Sequence, residues 1–271
     1  MRNIDDINLS PVEKTLFIPL FGKAIENKKK NPILIDKKAL EIIENIDINI
    51  DTLKNGIGNI FFCLRARIID NFLNNILESS RENIVLHLGC GLDSRCNRID
   101  INNIDWYDID FEDVIEIRKK YYKETKNYHL LATSILEKEW LEKIPKKKNN
   151  YIVVSEGVFQ YLEEEQIKEL IQTIKKYIGK YTLIFDTINK FSLKLSGNDK
   201  SVKNSGVKLH FGIDNGYEIQ KWNDNIKLIK EHYLSFSEIN GGNIFLKMLL
   251  KIVNIIPKIK GFFRILIFTI E

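Results

Sequence analysis

Ile84-Val-Leu-His-Leu-Gly-Cys-Gly-Leu-Asp-Ser-Arg95, followed by Trp106-Tyr-Asp-Ile-Asp110, reads as a buried strand, a glycine turn, a helix start and a second strand ending in an acid. Gly89 and Gly91 carry no Cβ, so backbone there can approach a ligand closely. Asp110 lies 19 positions beyond Gly91, near the roughly 20-residue spacing at which an acid ending the second strand reaches a ribose. The pair points to an adenosine-bearing cofactor at the carboxyl ends of parallel strands. Nicotinamide, flavin and S-adenosylmethionine enzymes share such a turn. The third fingerprint position is Ser94, not the glycine that lets a helix approach a pyrophosphate. A cofactor without phosphate has no such need, so the substitution leans toward S-adenosylmethionine.

Outward from this stretch, strand and helix alternate from 84 to 188. Ile84–Leu88, Ile104–Ile109, Tyr128–Ala132, Tyr151–Ser155 and Tyr181–Asp186 are short and almost wholly apolar, as parallel strands covered on both faces are. Helical patterns at Asp113–Lys123, Glu137–Glu142 and Glu163–Tyr177 separate them. The rhythm is that of a doubly wound α/β sheet. Residues 1–80 read as a helical cap. A start signal stands at Ser10-Pro-Val-Glu13 and apolar recurrence at Asp36–Ile46 and Ile60–Leu77. Residues 81–271 read as the core. Within them, 190–215 is rich in Ser, Gly, Asn and Lys and reads as a mobile loop or lid. A short helix is expected at Gly216–Asn223, a strand at Ile226–Ser235, a helix at Asn243–Ile255 and a last strand at Phe263–Ile270.

Composition bounds the partners. Forty-one basic and 37 acidic residues leave a net charge of +4, too even a balance for a nucleic-acid surface. Cys63, Cys90 and Cys96 are odd in number and lack metal-ligand spacing, which suggests a reducing, cytoplasmic setting. Cys90 and Cys96 read as apolar filler under the turn. The tail 244–270 is apolar but interrupted by Lys247, Lys251, Lys258, Lys260 and Arg264, so stable membrane insertion is not expected.

Five ordered segments carry a resemblance: Leu64-Arg-Ala-Arg-Ile-Ile-Asp70, Leu88–Arg95, Trp106–Asp110, Ser134-Ile-Leu-Glu-Lys-Glu-Trp140 and Ser155-Glu-Gly-Val-Phe-Gln-Tyr-Leu162. Phe211-Gly-Ile-Asp-Asn-Gly216 adds a sixth. With them the chain resembles the leucine carboxyl methyltransferase family, in its bacterial branch of polyketide O-methyltransferases. The resemblance implies a Rossmann-like class I methyltransferase sheet of seven strands, the last antiparallel, with an N-terminal helical cap and a lid insertion. It also implies S-adenosylmethionine as cofactor and S-adenosylhomocysteine as product. By the same resemblance Arg67 pairs with the methionyl carboxylate, Gly89 and Gly91 pass beneath the methionyl and ribose parts, and Asp110 takes the ribose hydroxyls. Ser134, Ile135 and Leu136 flank the adenine, and Glu156 faces the amino or sulfonium side. Arg65 is the rival inward arginine. Asp93 and Arg95 are expected to brace the turn, and Asp108 to brace the loop or Arg95. Gln160 stands where relatives often carry Met, placing an amide near the acceptor pocket.

Methyl transfer from a sulfonium needs alignment rather than a metal or a protein nucleophile. A carboxylate acceptor needs no base; a hydroxyl benefits from one. His210, beside the expected lid, is the candidate base, and Tyr161 a candidate for orienting the acceptor, a small molecule. Two other readings remain at this stage: a nicotinamide-dependent oxidoreductase on the same fold, and a non-catalytic S-adenosylmethionine-binding protein.

Overall fold

The apolar segments around the glycine turn assemble into one sheet in the computed structural model, which describes residues 2–3, 10, 15–47, 56–80, 82–146, 150–196, 208–234 and 262–271. The seven strands of that sheet are β3 (Asn83–Leu88), β4 (Ile104–Asp110), β5 (Tyr128–Ala132), β6 (Asn150–Ser155), β7 (Tyr181–Ile188), β8 (Ile226–Tyr233) and β9 (Phe263–Ile270). β1 (Arg2–Asn3) and β2 (Ile46–Asp47) form a separate parallel pair. The sheet order is β5-β4-β3-β6-β7-β9-β8. β3 to β7 run parallel, and β9 is antiparallel to both neighbours. Strand order reverses direction between β3 and β6, and such a switch point opens a crevice at the carboxyl ends of the two strands. This is the Rossmann-like seven-stranded sheet, its last strand antiparallel, that the resemblance implies.

Alternation along the strands divides the core. Val85, Trp106, Ile152 and Ile184 face α1 (Phe17–Asn27), α2 (Lys37–Glu44) and α3 (Gly56–Leu77). Leu86, Ile109 and Val153 face the other way, toward α6 (Glu164–Ile178). α6 presents Ile167, Leu170, Ile171 and Ile174 as one apolar stripe. Its first turn is closed by Gln166, whose Oε1 accepts from the Glu163 N–H at 2.9 Å. Its end is released by Gly179 at φ +80°. Asp36 caps α2, accepting the Ala39 N–H at 2.9 Å. The helices of 1–80 share one apolar cluster with the sheet face. Residue 80 therefore marks a change of sequence rhythm and not a gap in the core.

Several expected bounds differ. The first described helix starts at Phe17, beyond the Ser10–Glu13 signal, of which 11–13 lie outside the described residues. The helix expected to reach Lys123 is α5 (Glu112–Arg118) and ends five residues earlier. There the Tyr121 and Tyr122 amides both return to the Arg118 carbonyl, and the Tyr122 ring folds under the Arg118 guanidinium. The helix after the glycine turn, α4 (Arg95–Arg98), has only four residues. The expected loop at 190–215 begins as a helix, α7 (Lys190–Ser196), and resumes at 208–213 pinned to β7 by the Ile213 N–H on the Ile188 carbonyl at 2.9 Å. Residues 197–207 and the expected helix Asn243–Ile255 lie outside the described residues. α8 (Tyr217–Gln220) is the short helix expected near 216. No helix among the described residues is long and apolar enough to cross a membrane.

Ile184, fully buried in β7, tests the shared core. Ile184→Ala is expected to lower the unfolding free energy in urea by about 2–5 kcal/mol.

Candidate functional site

The glycine turn is fixed by backbone chemistry on both sides. Gly89 (φ +63°) and Gly91 (φ +50°) adopt the left-handed conformation that side chains oppose. A Cβ on Gly89 would also stand 2.4 Å from Val158 Cγ2. The Gly89 N–H donates to the Ile109 carbonyl at 2.8 Å. The Gly91 N–H donates to Asp110 Oδ2 at 2.7 Å, while the Phe111 N–H donates to Oδ1 at 2.8 Å. The Gly91 carbonyl in turn accepts from Arg118 at 2.9 Å. The 19-residue spacing is thus realised as a direct contact. Burial pushes the Asp110 carboxyl above its ordinary value, against the pull of those two amides.

Beneath the turn lies a buried anchor. Asp108 accepts from the Trp106 indole at 2.8 Å, meets His87 Nδ1 at 2.9 Å, and pairs with Arg118 and the Tyr128 hydroxyl. Burial pushes its carboxyl up, but Arg118 and His87 outweigh that and hold it at about 2. His87 Nε2 meets Arg95 at 3.1 Å. Asp108 therefore supports both the loop, through Arg118, and Arg95, through His87.

Arg95 opens a cluster of buried charges that joins the helical layer to the turn. Its guanidinium meets Asp70 at 2.7 Å, Asp93 at 3.3 Å and Glu156. Arg98 meets Asp70 at 2.6 Å and both Asp36 and Asp93 at 2.8 Å. Ser94 donates to Asp36, so the residue in place of the third glycine is a polar anchor for the cap of α2. Lys23 lies 3.2 Å from Asp93 and 3.6 Å from Glu156. Arg65 reaches Glu156 at 3.1 Å and Asp186 at 2.9 Å. Burial pushes Glu156 up, and Lys23, Arg65 and Arg95 together bring it down to about 2. Among the described residues, four cations (Lys23, Arg65, Arg95, Arg98) face five carboxylates (Asp36, Asp70, Asp93, Glu156, Asp186), a formal excess of one negative charge.

The expected residues are distributed around this frame. Successive helical residues turn by about 100°, so Arg65 and Arg67 cannot face the same way. Arg65 is the one in the cluster, and Arg67 is half-buried on the same helix. Arg65 Nε is buried with no hydrogen-bond partner among the described residues. Ser134, Ile135 and Leu136 follow β5 beside Asp110, because the Thr133 N–H donates to the Asp110 carbonyl at 2.8 Å. Ile135 is buried and Leu136 exposed. Phe111, also exposed, follows Asp110 directly. Glu156 is not an open carboxylate, being held by three cations. The turn Phe159–Tyr161 carries half-buried Tyr161, and the Gln160 carbonyl accepts the His210 N–H at 2.8 Å. His210 Nδ1 pairs with Glu163, and its side chain is 25% exposed. Cys63, Cys90 and Cys96 are buried free thiols that burial holds above their ordinary value. Lys23, Asp186, Phe111 and Glu163 escaped the sequence reading. Lys23 and Asp186 lie far from the glycine motif in sequence, and their signal is only a charge within an otherwise apolar run.

Comparison with known proteins identifies the family. The family model for leucine carboxyl methyltransferase matches residues 18–175. The chain is 29% identical over 213 residues to the tetracenomycin polyketide synthesis O-methyltransferase TcmP of Streptomyces glaucescens, covering 78% of each chain. It is 28% identical over 188 residues to the S-adenosyl-L-methionine-dependent methyltransferase dpfgK of Gibberella zeae, covering 63% of each. In fold it is similar to the magnesium protoporphyrin IX methyltransferase of Synechocystis, solved with bound SAH (TM-score 0.54, 12% identity, 87% of this chain and 94% of that one). A second similar structure is an S-adenosylmethionine-dependent methyltransferase from Anabaena variabilis (TM-score 0.51, 13% identity, 76% and 84%).

The depressed Glu156 value fixes a pH dependence. A carboxyl held at about 2 in the folded chain, against an ordinary 4.5, stabilises the fold fully above about pH 4.5 and loses that contribution as pH falls toward 2. Glu156→Gln is expected to flatten this limb of a stability-against-pH curve and to cost about 3–5 kcal/mol at pH 7, because it strands buried cations. Urea melts across that range would show both effects.

Proposed function

The chain belongs to the leucine carboxyl methyltransferase family, and from that premise we propose that it moves a methyl group to an oxygen of a small-molecule acceptor. It is an S-adenosylmethionine-dependent methyltransferase. The observation that carries the fuller reading is the pairing of a left-handed glycine turn with Asp110 at the switch point of the sheet. The residues fit the cofactor. Asp110 would take the ribose hydroxyls with its carboxylate. Phe111 and Leu136, exposed on two adjoining strand ends, would sandwich the adenine, with Ser134 and Ile135 at its edge. Arg65, with its unpartnered Nε, and Lys23 would take the methionyl carboxylate, the role first read into Arg67. The cluster's net negative charge complements a ligand whose carboxylate, ammonium and sulfonium leave one positive charge.

The sulfonium supplies an activated methyl group. The chain's own residues supply alignment, which can contribute about 7–11 kcal/mol. Glu156, set by Lys23, Arg65 and Arg95, holds these cations in place near the amino and sulfonium side. His210 is oriented through Nδ1 by Glu163, which leaves Nε2 to accept a proton from an acceptor hydroxyl. Being partly exposed, it can release that proton to solvent. A carboxylate acceptor requires no such step. Tyr161 would orient the acceptor. The likeness to TcmP supports a polyketide-like acceptor. The nicotinamide reading is set aside, since Ser94 is engaged with Asp36 where a pyrophosphate site needs glycine.

Asp110→Ala is expected to weaken S-adenosylmethionine binding about 10- to 100-fold in a calorimetric titration, by loss of charge-assisted hydrogen bonds. His210→Ala is expected to lower kcat about 10²- to 10⁴-fold for hydroxyl acceptors and to leave carboxylate acceptors unaffected. Paired assays on a phenol and a benzoate would check this.

A further inference from the structure

Gln160 carries a polar atom that no described residue engages. Its backbone carbonyl accepts the N–H groups of His210 at 2.8 Å and Phe211 at 3.3 Å, so the main chain alone ties the 208–213 segment to the turn. Its side chain is buried, and Oε1 has no hydrogen-bond partner among the described residues. The two residues before it have visible structural tasks. Val158 covers Gly89, and its carbonyl accepts the Tyr161 N–H at 2.9 Å. Phe159 packs on Phe185 in the core. A buried carbonyl oxygen with no partner is destabilising, and an apolar side chain of the same length would remove that penalty.

Its surroundings say what the amide is for. Gln160 sits between Val158, which touches the glycine turn, and His210, whose imidazole is held by Glu163. The backbone bonds from His210 and Phe211 to its carbonyl set Gln160 beside the segment that carries the candidate base. Resting on the methyl-transfer reading above, we propose that the Gln160 carboxamide recognises the acceptor beside its reacting oxygen and sets which acceptors are taken. The ligand chemistry is that of an oxygen acid. A hydroxyl satisfies the carbonyl end of the amide, and a carboxylate satisfies the amino end, the two ends being interchangeable by rotation.

The test compares the wild-type chain with Gln160→Met, which keeps length and removes the amide. Both are titrated with S-adenosylhomocysteine. The resulting complexes are then titrated with 2,4-dihydroxybenzoate, which carries a hydroxyl and a carboxylate on one ring. Thermal melts are recorded on the free proteins. The expected result is unchanged S-adenosylhomocysteine binding, a melting midpoint raised by about 2 °C or more, and probe affinity weakened about tenfold or more. Turnover with S-adenosylmethionine then separates the two sources: a base-labile methyl ester marks the carboxylate, a base-stable ether the hydroxyl, and either supports the role. Equal probe affinity in the two proteins, a lowered melting midpoint in the variant, or no probe binding by the wild type overturns the proposal while leaving methyl transfer intact. Failure of the wild type to bind S-adenosylhomocysteine overturns the methyl-transfer reading itself.

Discussion

Glu156 is the constraint on which the remaining geometry hangs. It follows β6 directly, and three cations from three different parts of the chain converge on its carboxylate: Lys23 from α1, Arg65 from α3 and Arg95 from the segment after the glycine turn. Burying so many charges gains little stability over an apolar core, since desolvation offsets most of the Coulomb attraction. What the arrangement secures is position. Each cation also holds a second carboxylate, so the helical layer, the turn and the strand ends cannot shift independently. A displaced helix would strand a buried charge.

That rigidity suits an alignment enzyme. The sheet places its crevice at the β3/β6 switch point, and methyl transfer from a sulfonium draws mainly on alignment. The anchor under the turn works in the same direction. Asp108 fixes Arg118, Arg118 fixes the Gly91 carbonyl, and Asp110 fixes the Gly91 amide. A turn defined at both ends presents its backbone in one conformation.

Much of this was legible in the sequence because the strands are short, apolar and separated by turn signals. All five central parallel strands lie within two residues of their expected bounds, and β9 coincides with its expectation. The glycine turn and Asp110 were legible because local chain geometry decides them. The ionic cluster was not. Asp93 and Arg95 read as a local brace and do pair with each other, but Lys23, Asp70 and Glu156 join them only through tertiary packing. The choice between Arg65 and Arg67 turns on helix rotation against the sheet, which period alone leaves open. Helix ends were the least readable, as at α5, where Tyr122 folds back onto Arg118 and ends the run.

The most direct test of the account is a crystal structure with S-adenosylhomocysteine bound. The account predicts ribose hydroxyls on Asp110, adenine between Phe111 and Leu136, and the methionyl carboxylate on Arg65 and Lys23. Ligand bound elsewhere, or a methionyl carboxylate on Arg67 with Arg65 unmoved from Glu156 and Asp186, would contradict it.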